Sequence, residues 1–395
     1  MTISELNKTD HKDNIAIVVV GYNRIGSMDR LLNSLLKANY PANCNVPLVI
    51  SIDCSGNEEL YRYARDFKWP FGDKYVNIQQ ERLGLKKHIF KCIALSEFFK
   101  AVVVLEDDLF ISPYFYSFVE NAVDKYGEDP RIAEIALYKN ESNGYAFFPF
   151  FPIEDGKDVF LWQDICTWGE VFTYSMWKRF KGWYDSECTD DIIENADMPY
   201  QIKTWTRAWS KPYDAFVVNT GSYIVYPKIP LTTNFGEAGE HSDDAAASMV
   251  QVSILLGEKS FSMPDVEELS HYDLFCNNEA MYNWLDIDRH DICLDIYGMG
   301  RNAEGKRYIL SPKVLPYNAI KHFALNSKPI ETNILHNIEG NGLFLYDTQQ
   351  PVSKKEKRKY PFAFLSYYLN IYNTHDIWQY AFKTFSKALK TKLHL

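Results

Sequence analysis

Two short runs constrain what this chain can fold into more than any other feature. They are Ile15-Ala16-Ile17-Val18-Val19-Val20, closed by Gly21, and Val102-Val103-Val104-Leu105, which ends in Glu106-Asp107-Asp108. Apolar, β-branched stretches without polar alternation suit strands buried on both faces, as in a parallel sheet covered by helices. The segments between them carry helical spacing. Met28, Leu31, Leu32, Leu35 and Leu36 follow the first run, with Ser27 as the expected cap and Pro41 beyond the end. Val46 to Ile52 reads as a second buried strand ending at Asp53, and Asn57 to Phe67 as a second helix.

A short strand at Val76 to Ile78 and an amphipathic helix through Ile89, Cys92 and Ile93 lead into the acidic strand. After it, Ser112-Pro113 has the order of a helix start, with Phe115, Phe118, Val119, Ala122, Val123 and Tyr126 as its apolar stripe. This alternation predicts a doubly wound α/β sheet with its ligand at the carboxyl ends of the strands. Residues 1–13 are expected to be a polar tail, 14–250 the main domain and 251–350 a smaller appended α+β region. Within the main domain, 14–125 forms a nucleotide half and 126–250 an acceptor half. Residues 351–395 are expected to form a basic, aromatic helical tail.

Charge divides the chain. Its formal net charge is −10, yet Ser353 to Leu395 holds nine Lys and Arg against Glu356 and Asp376, which leaves −17 on the body. An acidic body argues against nucleic acid as a partner. The tail, with Trp378, Tyr380, Ala381, Phe385 and Leu389 among its lysines, suits either an amphipathic helix on an anionic membrane or a helix packed on the body. Seven cysteines without any Cys-x-x-Cys read as buried hydrophobes in a reducing compartment. No apolar leader and no run of 18 apolar residues is present, so a cytoplasmic location is expected, on the inner face of the membrane if the tail binds there.

Three consecutive acids at a strand end raise one another's pKa unless a cation lies against them. A divalent metal, Mn²⁺ or Mg²⁺, completed by phosphate oxygens is one answer, and an acidic helix cap is the plain alternative. Asp53 and Arg24, the latter after Gly21-Tyr22-Asn23, fall at neighbouring strand ends, where a nucleotide contact competes with simple capping. His88, on the helix before the acidic strand, is a further nucleotide candidate or else a structural histidine. The loop Asn234 to Ser242 offers His241 as a metal ligand and could close over a diphosphate. Gly300 to Arg307 nearly matches a phosphate loop, but Arg307 stands where Ser or Thr belongs, and it reads as a hairpin turn. Dinucleotide-binding, zincin and α/β-hydrolase motifs are absent.

Ile17 to Arg24, Val49 to Cys54 and Val102 to Leu109, followed by Pro113-Tyr114-Phe115, resemble in order and spacing the GT-A domain of N-acetylglucosaminyltransferase I and its bacterial relatives. The similarity covers residues 14–125 well and continues more loosely to His241. It implies a GT-A, Rossmann-like mixed sheet and a metal-dependent, inverting glycosyltransferase. By the resemblance, Asp108 holds Mn²⁺, Glu106 contacts the donor's ribose or sugar with Asp107 beside it, and Arg24, Asp53 and His88 bind a uridine nucleotide. An inverting enzyme needs a carboxylate base. No residue aligns with the family's base: Asp214 comes first, then Asp190, Asp191 and Asp197. The expected partners are a UDP-sugar, N-acetylglucosamine being the suggested sugar, and a glycan or lipid-linked glycan of a bacterial capsule, lipopolysaccharide or exopolysaccharide. A sugar-nucleotide nucleotidyltransferase and an inactive glycan-binding scaffold are the rival readings.

Overall fold

The structure, a computed structural model, describes residues 11–42, 44–237, 250–352, 366–367 and 373–393. The chain divides into two compact units, Met1–Tyr145 with Pro152–Ala280, and Ala146–Phe151 with Met281–Leu395.

The first unit is built on a nine-stranded mixed sheet. Its regular half alternates β1 (His11–Gly21), α1 (Ile25–Leu36), β2 (Leu48–Ile52), α2 (Glu58–Asp66), β3 (Lys74–Ile78), α3 (Leu85–Ile93) and β4 (Phe99–Glu106). β1 lies between β2 and β4 and runs parallel to both, and β3 extends the same parallel set beyond β2. Ile17 to Val19, Val49, Ile50, Val102, Val103 and Leu105 are fully buried, as uninterrupted apolar runs require. Each such side chain contributes about 1.5–3 kcal/mol relative to exposure. α1 turns Met28, Leu31, Leu32 and Leu35 inward, and α4 (Phe115–Tyr126) buries its whole predicted stripe. The doubly wound α/β class expected from the sequence is the one the chain adopts.

The other half of the sheet is mixed. The strand Glu170–Phe172 runs antiparallel between β4 and β6 (Ile132–Ala136). Tyr223–Pro227 joins β6 in parallel, Val159–Trp162 pairs antiparallel with Tyr223–Pro227, and His271–Tyr272 closes the far edge. Parallel pairing fixes the function-bearing edge: in register, Val20 lies beside Glu106, Gly21 beside Ile52, and Ile52 beside Ile78. The carboxyl ends of four strands therefore open on one side.

Two local expectations fail. Ser27 does not cap α1: the helix begins at Ile25 with Arg24 at its cap position and no side-chain cap bond, which leaves the Ser27 hydroxyl free to donate to Glu237. Gly300 to Arg307 is not a hairpin turn, because the strands it joins, Ile292–Leu294 and Tyr308–Ser311, are parallel. In the second unit that segment belongs to a crossover held by Asp295, whose carboxylate accepts the amides of Met299 at 2.7 Å and Gly300 at 3.1 Å. Gly300 and Gly305 supply the positive φ this path needs. The rest of that unit's sheet is formed by Leu343–Pro351 and Tyr317–Phe323.

Candidate active site

The site assembles where β1, β2 and β4 end. Arg24, just past β1, pairs through one guanidinium nitrogen with Asp107 and reaches Asp108 Oδ2 at 3.2 Å. Gly21 packs against α1 beside this pair, where a Cβ would lie 2.3 Å from the Met28 methyl. Burial works against the Arg24 charge, but Asp107 and Asp108 outweigh it and hold its pKa above the ordinary value. For Asp107 burial wins instead, pushing the carboxyl up to about 6 against the pull of Arg24. Glu106 is pushed up to about 8, by burial first and then by Asp108 and Asp107. The triplet thus holds more negative charge than Arg24 neutralises.

Asp108 Oδ1 is buried and has no hydrogen-bond partner among the described residues. An orphaned carboxylate oxygen beside two further acids fits a hard divalent cation that takes one or two carboxylates and fills its shell with water and phosphate oxygens. Among the described residues no group of three or more His, Cys, Asp or Glu side chains is arranged to hold such an ion. His241 lies outside the described residues.

Residues 232–237 lie against this edge. The strand Thr232–Asn234 pairs with β5 (Leu109–Ile111), and the Phe235 amide donates to the Asp108 carbonyl at 3.1 Å. Beyond it Glu237 accepts from Ser27 and, at 2.7 Å, from Arg30, whose guanidinium stacks 3.8 Å from the Phe235 ring. Arg30 is the main reason the Glu237 carboxyl falls to about 2. The sequence singles out Ser27 only as a helix cap and does not single out Arg30 or Glu237; the signal available is the polar, glycine-bearing loop itself.

Asp53 is not the cap of the helix that follows it. Its carboxylate accepts the amides of Cys54 at 2.8 Å, Leu83 at 2.9 Å and Gly84 at 2.9 Å, while Asn57 caps α2. It therefore fastens the start of α3 to the end of β2. His88 is buried, its Nε2 lying 2.8 Å from Ser51 Oγ, and burial lowers its pKa to about 4, so the ring is neutral at pH 7.

The acids of the second half form another group. Asp214 is fully buried at the start of the helix Lys211–Thr220, where Oδ1 accepts the Ile165 amide at 3.2 Å and Oδ2 has no partner. Around it lie Asp164, bound by the Tyr145 hydroxyl, and the fully buried Glu134. Burial, then mutual repulsion, drives Glu134, Glu170 and Asp214 well above the carboxylate range, and burial lifts Asp164 to about 7. Glu170 is the link between groups, since it feels both Glu134 and Glu106. It sits opposite Val104 and so shares a sheet face with Glu106. Gly169 before it has φ +105°, and a Cβ there would meet Thr232 at 2.9 Å. Asp190 and Asp191 are exposed in the first turn of the helix Asp190–Asn195, and Asp197 is exposed just beyond it.

Residues 1–145 match the model of the GNT-I family. The matched stretch contains β1 to β4, Arg24, Asp53, His88 and the whole acid triplet, the portion in which the N-acetylglucosaminyltransferase I resemblance was read. Among solved structures, the chain is similar to S. aureus TarS 1–349 in complex with UDP-GlcNAc, at 16% identity and a TM-score of 0.37, covering 58% of this chain and 60% of that one. It is also similar to the mannosyltransferase PcManGT from Pyrobaculum calidifontis in complex with GDP-Man and Mn²⁺, at 13% identity and TM-score 0.33, covering 56% and 58%. GalNAc-T7 with UDP, GalNAc and Mn²⁺ follows at 12% identity and TM-score 0.37, covering 56% and 43%. The chain spans about three fifths of the length of the TarS 1–349 structures. No curated protein matches it.

Proposed function

We propose that this chain is a metal-dependent glycosyltransferase that binds a UDP-sugar at the carboxyl edge of β1, β2 and β4. The observation that carries the reading is the acid triplet within the GNT-I match, with Asp108 Oδ1 buried and unsatisfied at the strand end. Asp108 is the metal ligand, joined by His241, and Glu106 contacts the ribose or sugar with Asp107 beside it. Mn²⁺ or Mg²⁺, when bound, supplies positive charge to the departing diphosphate. Arg24 adds a second positive charge at the same edge. Asp53 and His88 bind the uridine nucleotide with Arg24, and Asp53 also fixes the α3 entry loop. Phe235 and Glu237 hold the covering loop over the donor.

For inversion a carboxylate must take the acceptor's proton. Asp214 is the proposed base, with Asp191 and Asp197 behind it, and Glu170 joins them because its carboxyl shares a face with Glu106. The acceptor is a glycan, or a lipid-linked glycan, of a bacterial surface polysaccharide, and N-acetylglucosamine is the proposed donor sugar. Support for work at the inner face of the membrane comes from the helix Thr374–Leu393. Its Trp378, Tyr380, Phe382 and Phe385 are 66–74% exposed, beside Lys383. Among the described residues no helix is long and apolar enough to cross a membrane.

The test is slow donor hydrolysis across a panel of nucleotide sugars, with and without Mn²⁺. Mn²⁺-dependent hydrolysis of a UDP-sugar is expected. Hydrolysis indifferent to the metal would remove the metal assignment, and pyrophosphate release from a nucleoside triphosphate would favour a nucleotidyltransferase. Asp214→Asn should abolish transfer to acceptor while leaving donor binding intact. Liposome co-sedimentation of the full chain against one ending at Gln350 tests the tail, and equal binding refutes its membrane role.

A further inference from the structure

We infer that Arg24 is a resident counter-cation that occupies the metal's side of the acid triplet and weakens binding of the metal until a diphosphate arrives to take the guanidinium. This rests on the metal reading proposed above and concerns how that site is held before its ligands bind. One guanidinium nitrogen touches Asp107 and lies 3.2 Å from Asp108 Oδ2, so a single group spans both carboxylates. The Asp108 side chain is 16% exposed and that of Asp107 5%, which leaves two enclosed charges in need of a partner in the metal-free protein. Arg24 meets that need from a short lead into α1, where its own side chain remains 30% exposed and has room to move.

A divalent ion bound through the unsatisfied Asp108 Oδ1 would sit next to the guanidinium on Oδ2. Two cations on one carboxylate repel, so Mn²⁺ alone must displace Arg24 from Asp108 and loses affinity for doing so. A diphosphate reverses the balance, because its oxygens accept from the released guanidinium and complete the metal's shell. Metal and nucleotide then bind with positive coupling, and by linkage each tightens the other by the same factor. Glu237 helps to keep the displaced Arg24 at this edge, since its ionised carboxylate attracts Arg24 while being tied down by Arg30 and Ser27.

The experiment reads free Mn²⁺ by electron paramagnetic resonance during titration of wild type, Arg24→Gln and Asp108→Asn, each with and without UDP. Arg24→Gln should bind Mn²⁺ alone at least about fivefold more tightly than wild type, and the tightening caused by UDP should shrink by a comparable factor. Mn²⁺ binding by Arg24→Gln alone that is no tighter than wild type overturns the inference and leaves the metal reading standing. Absence of Mn²⁺ binding by wild type even with UDP, or full binding by Asp108→Asn, defeats the metal reading and this inference with it. Should Arg24→Gln not fold, Arg24→Met serves: it keeps the apolar stem without the charge, so tighter Mn²⁺ binding than wild type is still expected, and equal affinity counts against the proposal.

Discussion

The two halves of the large sheet handle buried charge in opposite ways. In the parallel half Arg24 faces Asp107 and Asp108, and Asp53 accepts three backbone amides, with Asp108 Oδ1 left unsatisfied among the described residues. In the mixed half, Glu134, Glu170 and Asp214 lie inside with their carboxyls driven well above the usual range, by burial first, and Asp164 beside them is lifted to about 7. A paired carboxylate is committed as an anion and ready to hold a cation. A neutral buried acid stores a proton and acts as a base only after it has been exposed or ionised. The difference teaches that donor binding and proton transfer, if both belong to this chain, are prepared by different physics on the two sides of β4.

The largest expected effect breaks the paired half. Asp108→Asn should lower Mn²⁺-dependent donor turnover by about 10²–10³-fold, the loss typical when one electrostatic stabiliser is removed. Steady-state hydrolysis of the donor checks it, and activity near wild type would show that the triplet is not the metal seat. Next in size, Asp53→Ala leaves the Leu83 and Gly84 amides without their acceptor, which should cost about 3 kcal/mol in denaturant unfolding. A change under about 1 kcal/mol would mean that water replaces the carboxylate easily.

His88 gives a pH-dependent test. Its folded pKa is near 4, below the unfolded value of about 6.5, so between those limits the unfolded state binds more protons. The stability of the neutral ring is therefore complete above about pH 6.5 and is lost as pH falls towards 4, by about 1–3 kcal/mol. Unfolding of wild type and His88→Gln across that range should show a steeper loss in wild type, and parallel curves would contradict a buried neutral His88.

The smallest effect sharpens the contrast. Glu134→Gln replaces a neutral acid by an amide of the same shape and should change stability by less than about 1 kcal/mol. A large loss would show that Glu134 is ionised and paired, and that the mixed half is not built as described.

How much could be read beforehand follows the same division. The strand runs at Ile15 and Val102 and the helix stripes led to the parallel order, and parallel strands deliver their ends to one edge, so Arg24, Asp53 and Glu106 to Asp108 were visible as neighbours. Their exact partners were not: Asp53 binds Leu83 and Gly84, thirty residues on, through a loop path no periodicity encodes. Ser27 looked like a cap because helix starts are ambiguous by a turn, and only the position of Glu237 explains its hydroxyl. Glu134, Asp164, Glu170 and Asp214 come from four separate segments joined by antiparallel and crossover contacts. Nothing local in sequence marks such a cluster.

The central claim is that a nucleotide sugar binds at the triplet through a metal on Asp108. Calorimetric titration of UDP-GlcNAc into wild type and Asp108→Asn, each with Mn²⁺ and with EDTA, tests it most directly. Binding in wild type with Mn²⁺ that is lost with EDTA and in Asp108→Asn is the predicted result; the same affinity in all four titrations would contradict it.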